Sequence, residues 1–271
     1  MKKILGFISI IIMVGAAGVA IFGEHGKDTK AKETKTEEVK KSSQSKTATS
    51  TKTTTSSTTK KESESKLPDV KTTDWDLVLV GPDNKIQNEI DESTQLETLA
   101  NGYQLDKRVV SSYEEFAQAA EAAGFPMAMV SGYRSVADQQ QVFSQHVQEV
   151  MTREGVSEED ATTETKKTMT VPGYSEHHTG LALDVVDQDW YSNFTTSSVL
   201  DAGYGTQPGA KWIAANAYKY GFIVRYPDGK DDITKITYEP WHLRYVGKES
   251  AKYITENDLT LEEYLKLLKE K

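Results

Sequence analysis

Ser175-Glu176-His177-His178-Thr179-Gly180-Leu181-Ala182-Leu183-Asp184 is the stretch from which the rest of the chain can be read. From Gly180 to Val186 the residues are small, aliphatic and partly β-branched, which predicts a short buried strand. Side chains alternate along a strand, so Leu181, Leu183 and Val185 share one face while Ala182, Asp184 and Val186 share the other. A carboxylate in such a run needs a partner, because an unpaired buried charge is too costly to keep. A divalent metal would serve, and His177, just before the strand, could be a second ligand; physics alone does not exclude its neighbour His178.

A matching piece lies further on, Glu239-Pro240-Trp241-His242, followed by the strand-like Leu243 to Val246. Two histidines and one aspartate make a three-ligand site with a fourth position left open, the layout of a catalytic zinc. Glu239 then remains free to act as a base. A single histidine beside an apolar strand is more often a core or surface residue, and Asp184 alone could be a structural acceptor. The combination carries the reading, since three of the five histidines in the chain lie in these two short pieces.

Ser-x-His-x-x-Gly-x-Ala-x-Asp followed by Glu-x-Trp-His resembles the VanY-type zinc D,D- and L,D-carboxypeptidases, which trim peptidoglycan stem peptides. Ser131-Gly132-Tyr133-Arg134-Ser135 with Gln139, and Arg225-Tyr226-Pro227, are further pieces of the same pattern, present in order. The similarity runs from about Trp75 to Gly247. It implies one Zn2+ per chain held by His177, Asp184 and His242, with Glu239 as general base and Arg134 near the scissile carbonyl. Its register is what favours His177 over His178. Ser135 and Gln139 fall in the first turn of a helix, whose free N–H groups suit a substrate carboxylate. Tyr133 and Ser175 are further candidates for substrate binding. The implied activity is removal of a C-terminal D-alanine. An endopeptidase using the same zinc set is the alternative, followed by a non-catalytic wall-binding domain, which would have no need of Glu239.

Composition sets the outer limits. There is no cysteine among the 271 residues, so a metal site must use nitrogen and oxygen donors and no thiol nucleophile is available. Lys2 and Lys3 precede an apolar run from Ile4 to Phe22, the pattern of an export signal. The run is long enough to span a bilayer, and residues 1–23 are expected to be an uncleaved anchor with the lysines on the cytoplasmic side; a cleaved signal peptide is the alternative. Residues 24–68 are rich in Lys, Thr, Ser and Glu and nearly free of aliphatic side chains, so they are expected to be a disordered stalk. Residues 69–271 would be the catalytic domain, a monomer outside the cell.

Charge divides at the same boundary. Residues 1–68 hold 13 lysines and 7 acidic residues, a net of +6, which leaves 19 basic and 34 acidic in 69–271, a net of −15. The basic segment suits anionic lipid, while the acidic domain excludes a nucleic-acid partner.

Along the domain, Trp75 to Val80 reads as a strand, and Ser111 to Glu114 as a capping box opening a helix that runs to Gly124. Met127 to Ser131 reads as a second strand, and Ser135 as the cap of a helix carrying Val136, Phe143, Val147 and Val150. Asp187 to Pro208 is expected to be a loop near the site, Phe222 to Tyr226 a strand, and Thr260 with Glu263 the start of a last helix. Glu239 and His242, three apart, would face opposite ways in a regular strand, so Glu239 is expected in a turn before it, at Pro240. Helices around a small, mainly antiparallel sheet make the fold α+β.

Overall fold

The structure, a computed structural model, describes residues 66–194 and 198–271. The anchor and nearly all of the stalk expected at the N-terminus lie outside these residues. Among the described residues no helix is long and apolar enough to cross a membrane.

The elements run α1 (Glu92–Gln95), β1 (Leu96–Thr98), β2 (Gln104–Asp106), α2 (Val110–Ala122), β3 (Met127–Ser131), α3 (Val136–Glu154), α4 (Glu158–Thr165), β4 (Ala182–Asp187), α5 (Gln188–Asn193), α6 (Pro208–Asn216), β5 (Phe222–Tyr226), α7 (Asp231–Thr234), β6 (Glu239–Tyr245), α8 (Lys248–Glu256) and α9 (Leu261–Glu270). β3, β4, β6 and β5 form a four-stranded sheet in that order, antiparallel at every pairing, and β1 and β2 form a separate hairpin. This is the α+β arrangement expected.

β4 is a central strand, and all six of its residues are buried, which is why it reads as an almost unbroken apolar run. Leu181, Leu183 and Val185 pack into the main core with Phe116 of α2, Ile213 of α6 and Phe222 of β5. Val186, on the opposite face, packs with Tyr204 and Ala210. Asp184 shares that second face, so the alternation that buries the leucines also points the carboxylate away from them. A second core under α8 and α9 joins Leu77, Ile223, Val246, Ile254, Leu261 and Tyr264, with Leu67 and Val70 packed against it.

Three local expectations are corrected. Trp75 to Val80 is not a strand: Trp75–Leu77 is a 3-10 turn, Leu77 is buried, and the carbonyls of Asp76 and Val78 accept from Arg244 instead of from a neighbouring strand. α2 begins at Val110 with no side-chain cap, because burial of Val109 and Val110 in the main core sets its start. The stretch from Asp187 to Pro208 is not a plain loop. Asp187 caps α5 by accepting from the Trp190 N–H at 3.0 Å, and a 3-10 turn at Ala202–Thr206 buries Tyr204.

Gly180 links the histidine turn to β4 in a left-handed conformation, φ +66°, and a Cβ there would lie 2.9 Å from the Asp106 nitrogen. Gly180→Ala therefore combines left-handed strain with a backbone clash, and is expected to cost about 1–3 kcal/mol. A urea unfolding curve measures this, and an unchanged midpoint would contradict it.

Candidate active site

His177 sits in a 3-10 turn, Glu176–Thr179, whose cap is Ser175; the Ser175 hydroxyl accepts from the His177 N–H at 3.3 Å. Asp184 on β4 stands directly opposite His242 on β6 in the strand register. The sheet thus supplies two of the groups and the turn the third. His177 Nε2 lies 3.3 Å from Asp184 Oδ2, and His242 Nδ1 lies 3.1 Å from Asp184 Oδ1. One donor atom from each of the three buried residues falls within 4.8 Å of the others.

Four observations fit this group to a zinc ion. Donors about 2.0–2.1 Å from a tetrahedral ion lie roughly 3.3 Å from one another, close to the two His–Asp184 separations, and the full set of three lies within 4.8 Å. The far ring nitrogen of each histidine is already engaged: His177 Nδ1 meets the Gly132 carbonyl at 2.7 Å and His242 Nε2 meets Glu176 Oε2 at 3.3 Å. Donation from the far nitrogen leaves the near one as a lone pair aimed inward. Asp184 Oδ1 is a buried carboxylate oxygen with no hydrogen bond of acceptable direction, which a cation would satisfy. Burial also pushes the His177 pKa down, holding it in the neutral form that binds metal, although Asp184 works the other way.

His178 is turned out of this group. Its Nδ1 lies 2.7 Å from the Arg134 carbonyl, and its Nε2 accepts from the Gly173 N–H at 3.1 Å. Its two nitrogens tie neighbouring loops together.

Glu239 is the first residue of β6, not part of a turn before it. The expected conflict with His242 is resolved by a bulge. Val224 pairs with Leu243 and Tyr226 with Glu239, so β6 uses four positions where β5 uses two. The extra residues include Pro240, which has no N–H to give a regular ladder. The bulge turns Glu239 toward the site, with Oε2 3.7 Å from His242 Nδ1. Burial, reinforced by Asp184, raises the Glu239 pKa to about 8 against the opposing pull of His242 and Arg134. A carboxyl with that proton affinity suits proton transfer near neutral pH.

Burial works against charge on His242, but Asp184 and Glu176 outweigh it and raise its pKa to about 9. Below that pH the metal-free His242 holds a proton that an incoming metal must displace. Zinc affinity is therefore expected to weaken by about tenfold per unit as pH falls from 8 to 6. Competition titrations at several pH values measure the slope, and a flat profile would contradict it.

Arg134 lies three residues past the end of β3. Its Nη1 donates to Gln139 Oε1 at 2.7 Å and its Nη2 to Ser131 Oγ at 2.9 Å, and its charge feels both Asp184 and Glu239. Gln139 is buried, and its amide nitrogen donates to the Thr170 carbonyl at 2.7 Å, so its side chain serves to hold Arg134. Ser135 caps α3 through the Asp138 N–H at 3.1 Å, and the Tyr133 hydroxyl donates to Glu92 at 2.9 Å. Ser175, Ser135, Gln139 and Tyr133 thus all have partners within the chain.

Sequence reasoning missed Glu176. Its carboxylate accepts from Arg225 Nε at 2.8 Å and Arg244 Nη1 at 2.7 Å as well as facing His242. Burial alone would raise its pKa, but the two guanidiniums hold it well below the usual carboxylate range. A signal was present: Arg225 and Arg244 each interrupt an apolar strand, and a cation placed so needs a buried anion.

Residues 102–248 match the VanY family of D-alanyl-D-alanine carboxypeptidases. The putative carboxypeptidase YodJ of Bacillus subtilis is 43% identical over 163 residues, a match spanning 60% of this chain and 54% of YodJ, so about half of that relative's length. The crystal structure of a variant of the vancomycin resistance D,D-pentapeptidase VanY in complex with Zn(II) is similar with a TM-score of 0.61 at 34% identity, covering 71% of this chain and 99% of that one. The LdcB LD-carboxypeptidase structure is similar with a TM-score of 0.57 at 37% identity, covering 69% of this chain and 84% of that one. With its buried His-Asp-His group and a match over more than half its length, the chain belongs to the VanY family of D-alanyl-D-alanine carboxypeptidases.

Proposed function

We propose that the chain is a zinc-dependent carboxypeptidase that removes the C-terminal D-alanine from peptidoglycan stem peptides. The observation that carries this reading is the convergence of His177, Asp184 and His242 with Glu239 beside them, all four buried. His177, Asp184 and His242 would hold the ion. When bound there, zinc would polarise the scissile carbonyl and make water a better nucleophile at neutral pH. Glu239 takes the proton from the attacking water and passes it to the departing amine. Arg134, held by Gln139 and Ser131, offers its guanidinium to the negative charge that develops on the carbonyl oxygen. The N–H groups at the start of α3, next to Ser135, suit the free carboxylate of the substrate. Tyr133, just before Ser135, and Ser175, the cap of the His177 turn, are further candidates for substrate binding.

A site built around a free carboxylate rejects peptides that lack one, because its donors would be left unpaired. The test is a matched set of tetrapeptide and pentapeptide, each as free acid and as C-terminal amide. Loss of one alanine from a free acid with the amides untouched supports the reading; cleavage at an internal bond, or equal turnover of the amides, replaces it with an endopeptidase. The two solved relatives are named for different reactions, D,D and LD. The net charge of −15 over 69–271 favours a cationic diamino acid before the scissile bond, and with it the tetrapeptide.

The same proposal places the domain outside the cell on a membrane anchor at residues 1–23, supported by Lys2 and Lys3 ahead of the apolar run. Membrane fractionation of the full chain against one starting at Glu24 tests this, and equal release of both into the soluble fraction would refute it.

A further inference from the structure

Glu176 has no side-chain exposure, nor have Arg225 and Arg244, which grip the same oxygen at 2.8 and 2.7 Å. Arg225 turns its other two nitrogens to Glu262 in the first turn of α9, at 2.9 and 2.6 Å. Arg244 gives its Nη2 to the Asp76 and Val78 carbonyls at 3.0 and 2.7 Å. One acid and two guanidiniums are thus shut away from water, with Glu262 reaching them from the partly exposed start of α9. Stability does not ask for this, since apolar residues of the same volume stabilise a buried position as well or better. The second oxygen of Glu176 shows what the arrangement serves, for it faces His242 Nε2 at 3.3 Å, on the side of the ring away from Asp184.

We propose that Glu176 is a positioning residue for His242. Its carboxylate receives the Nε2 proton and so fixes the ring with Nδ1 toward Asp184 and His177, while Arg225 and Arg244 hold that carboxylate charged and in place. The turn that carries His177 then also orients the opposite ligand, because Glu176 and His177 are consecutive. Glu262 extends the chain of contacts to α9, so the C-terminal helix is tied to the site through Arg225. The inference rests on the zinc reading above.

The test compares zinc affinity, by competition with a chromophoric chelator, in the full chain and in Glu176→Gln. The visible absorption of the cobalt(II) form reports ligand geometry alongside it. Glu176→Gln is expected to bind zinc about 10–100-fold more weakly and to shift the cobalt bands. Tyr264→Phe removes a buried hydrogen bond to Ser250 in the second core and controls for general loosening; its affinity and cobalt spectrum are expected to match the wild type. Should Glu176→Gln show no cooperative unfolding, Glu176→Asp keeps the charge for the arginines but withdraws it from His242, and the same loss is expected there. Unchanged affinity and bands in the folded Glu176 variant would overturn the inference while leaving the zinc reading intact. Equal weakening in Tyr264→Phe would also overturn it. A wild-type chain that takes up no zinc would overturn the zinc reading and this inference with it.

Discussion

Glu239→Gln is expected to keep its zinc and its fold and to lose at least about 10²-fold in kcat. The replacement preserves size and one carbonyl oxygen, and Glu239 is not one of the three residues whose donor atoms converge. What it removes is the ability to accept a proton. Among the described residues the other two carboxylates at the site are engaged: Asp184 lies between the two histidines, and Glu176 gives one oxygen to Arg225 and Arg244 and the other to His242. The wild type should lose activity on the acid side as the base becomes protonated, and that limb should be missing from the residual activity of the variant. Metal analysis together with steady-state kinetics checks both halves. Near-wild-type turnover would remove Glu239 from the mechanism, and loss of zinc would make it a ligand.

His177→Ala and His178→Ala are expected to behave as opposites, although the residues are neighbours. His177→Ala deletes a donor and leaves Asp184 with a partner on one side only, so zinc should be lost at ordinary concentrations. Turnover should fall on the order of 10³-fold or more, since several kcal/mol of charge stabilisation leave with the metal. His178→Ala should retain one zinc per chain. Its cost is the contact to the Arg134 carbonyl at 2.7 Å and the acceptor for the Gly173 N–H, about 1–3 kcal/mol of stability. The reverse pattern, with His178→Ala emptied and His177→Ala loaded, would refute the ligand assignment.

The strands that build the site were legible because their signals are local. Met127–Ser131 and Phe222–Tyr226 are bounded by turn residues and filled with β-sheet formers, and the observed strands have those limits. Ser135 and Thr260 cap their helices as read, the latter in a full capping box with Glu263. What was not legible depends on distant residues. The Trp75 segment has a strand's composition, but its carbonyls are claimed by Arg244, far along the chain. The bulge in β6 comes from a mismatch with β5, which neither strand shows alone. The site divided in the same way. His177, Asp184, His242 and Glu239 lie in two short motifs, whereas the charge cluster behind His242 draws Glu176, Arg225, Arg244 and Glu262 from four separate segments. Gln139 reads as a substrate contact from its place in a helix's first turn, and only its partners show that it holds Arg134.

The most direct measurement is mass spectrometry of a stem peptide incubated with the full chain in three conditions: with zinc, with a chelator, and with zinc restored after chelation. Loss of a single C-terminal alanine is expected in the first and third and an intact peptide in the second. Cleavage that persists in the chelator, or that falls at an internal bond, would contradict the zinc carboxypeptidase reading.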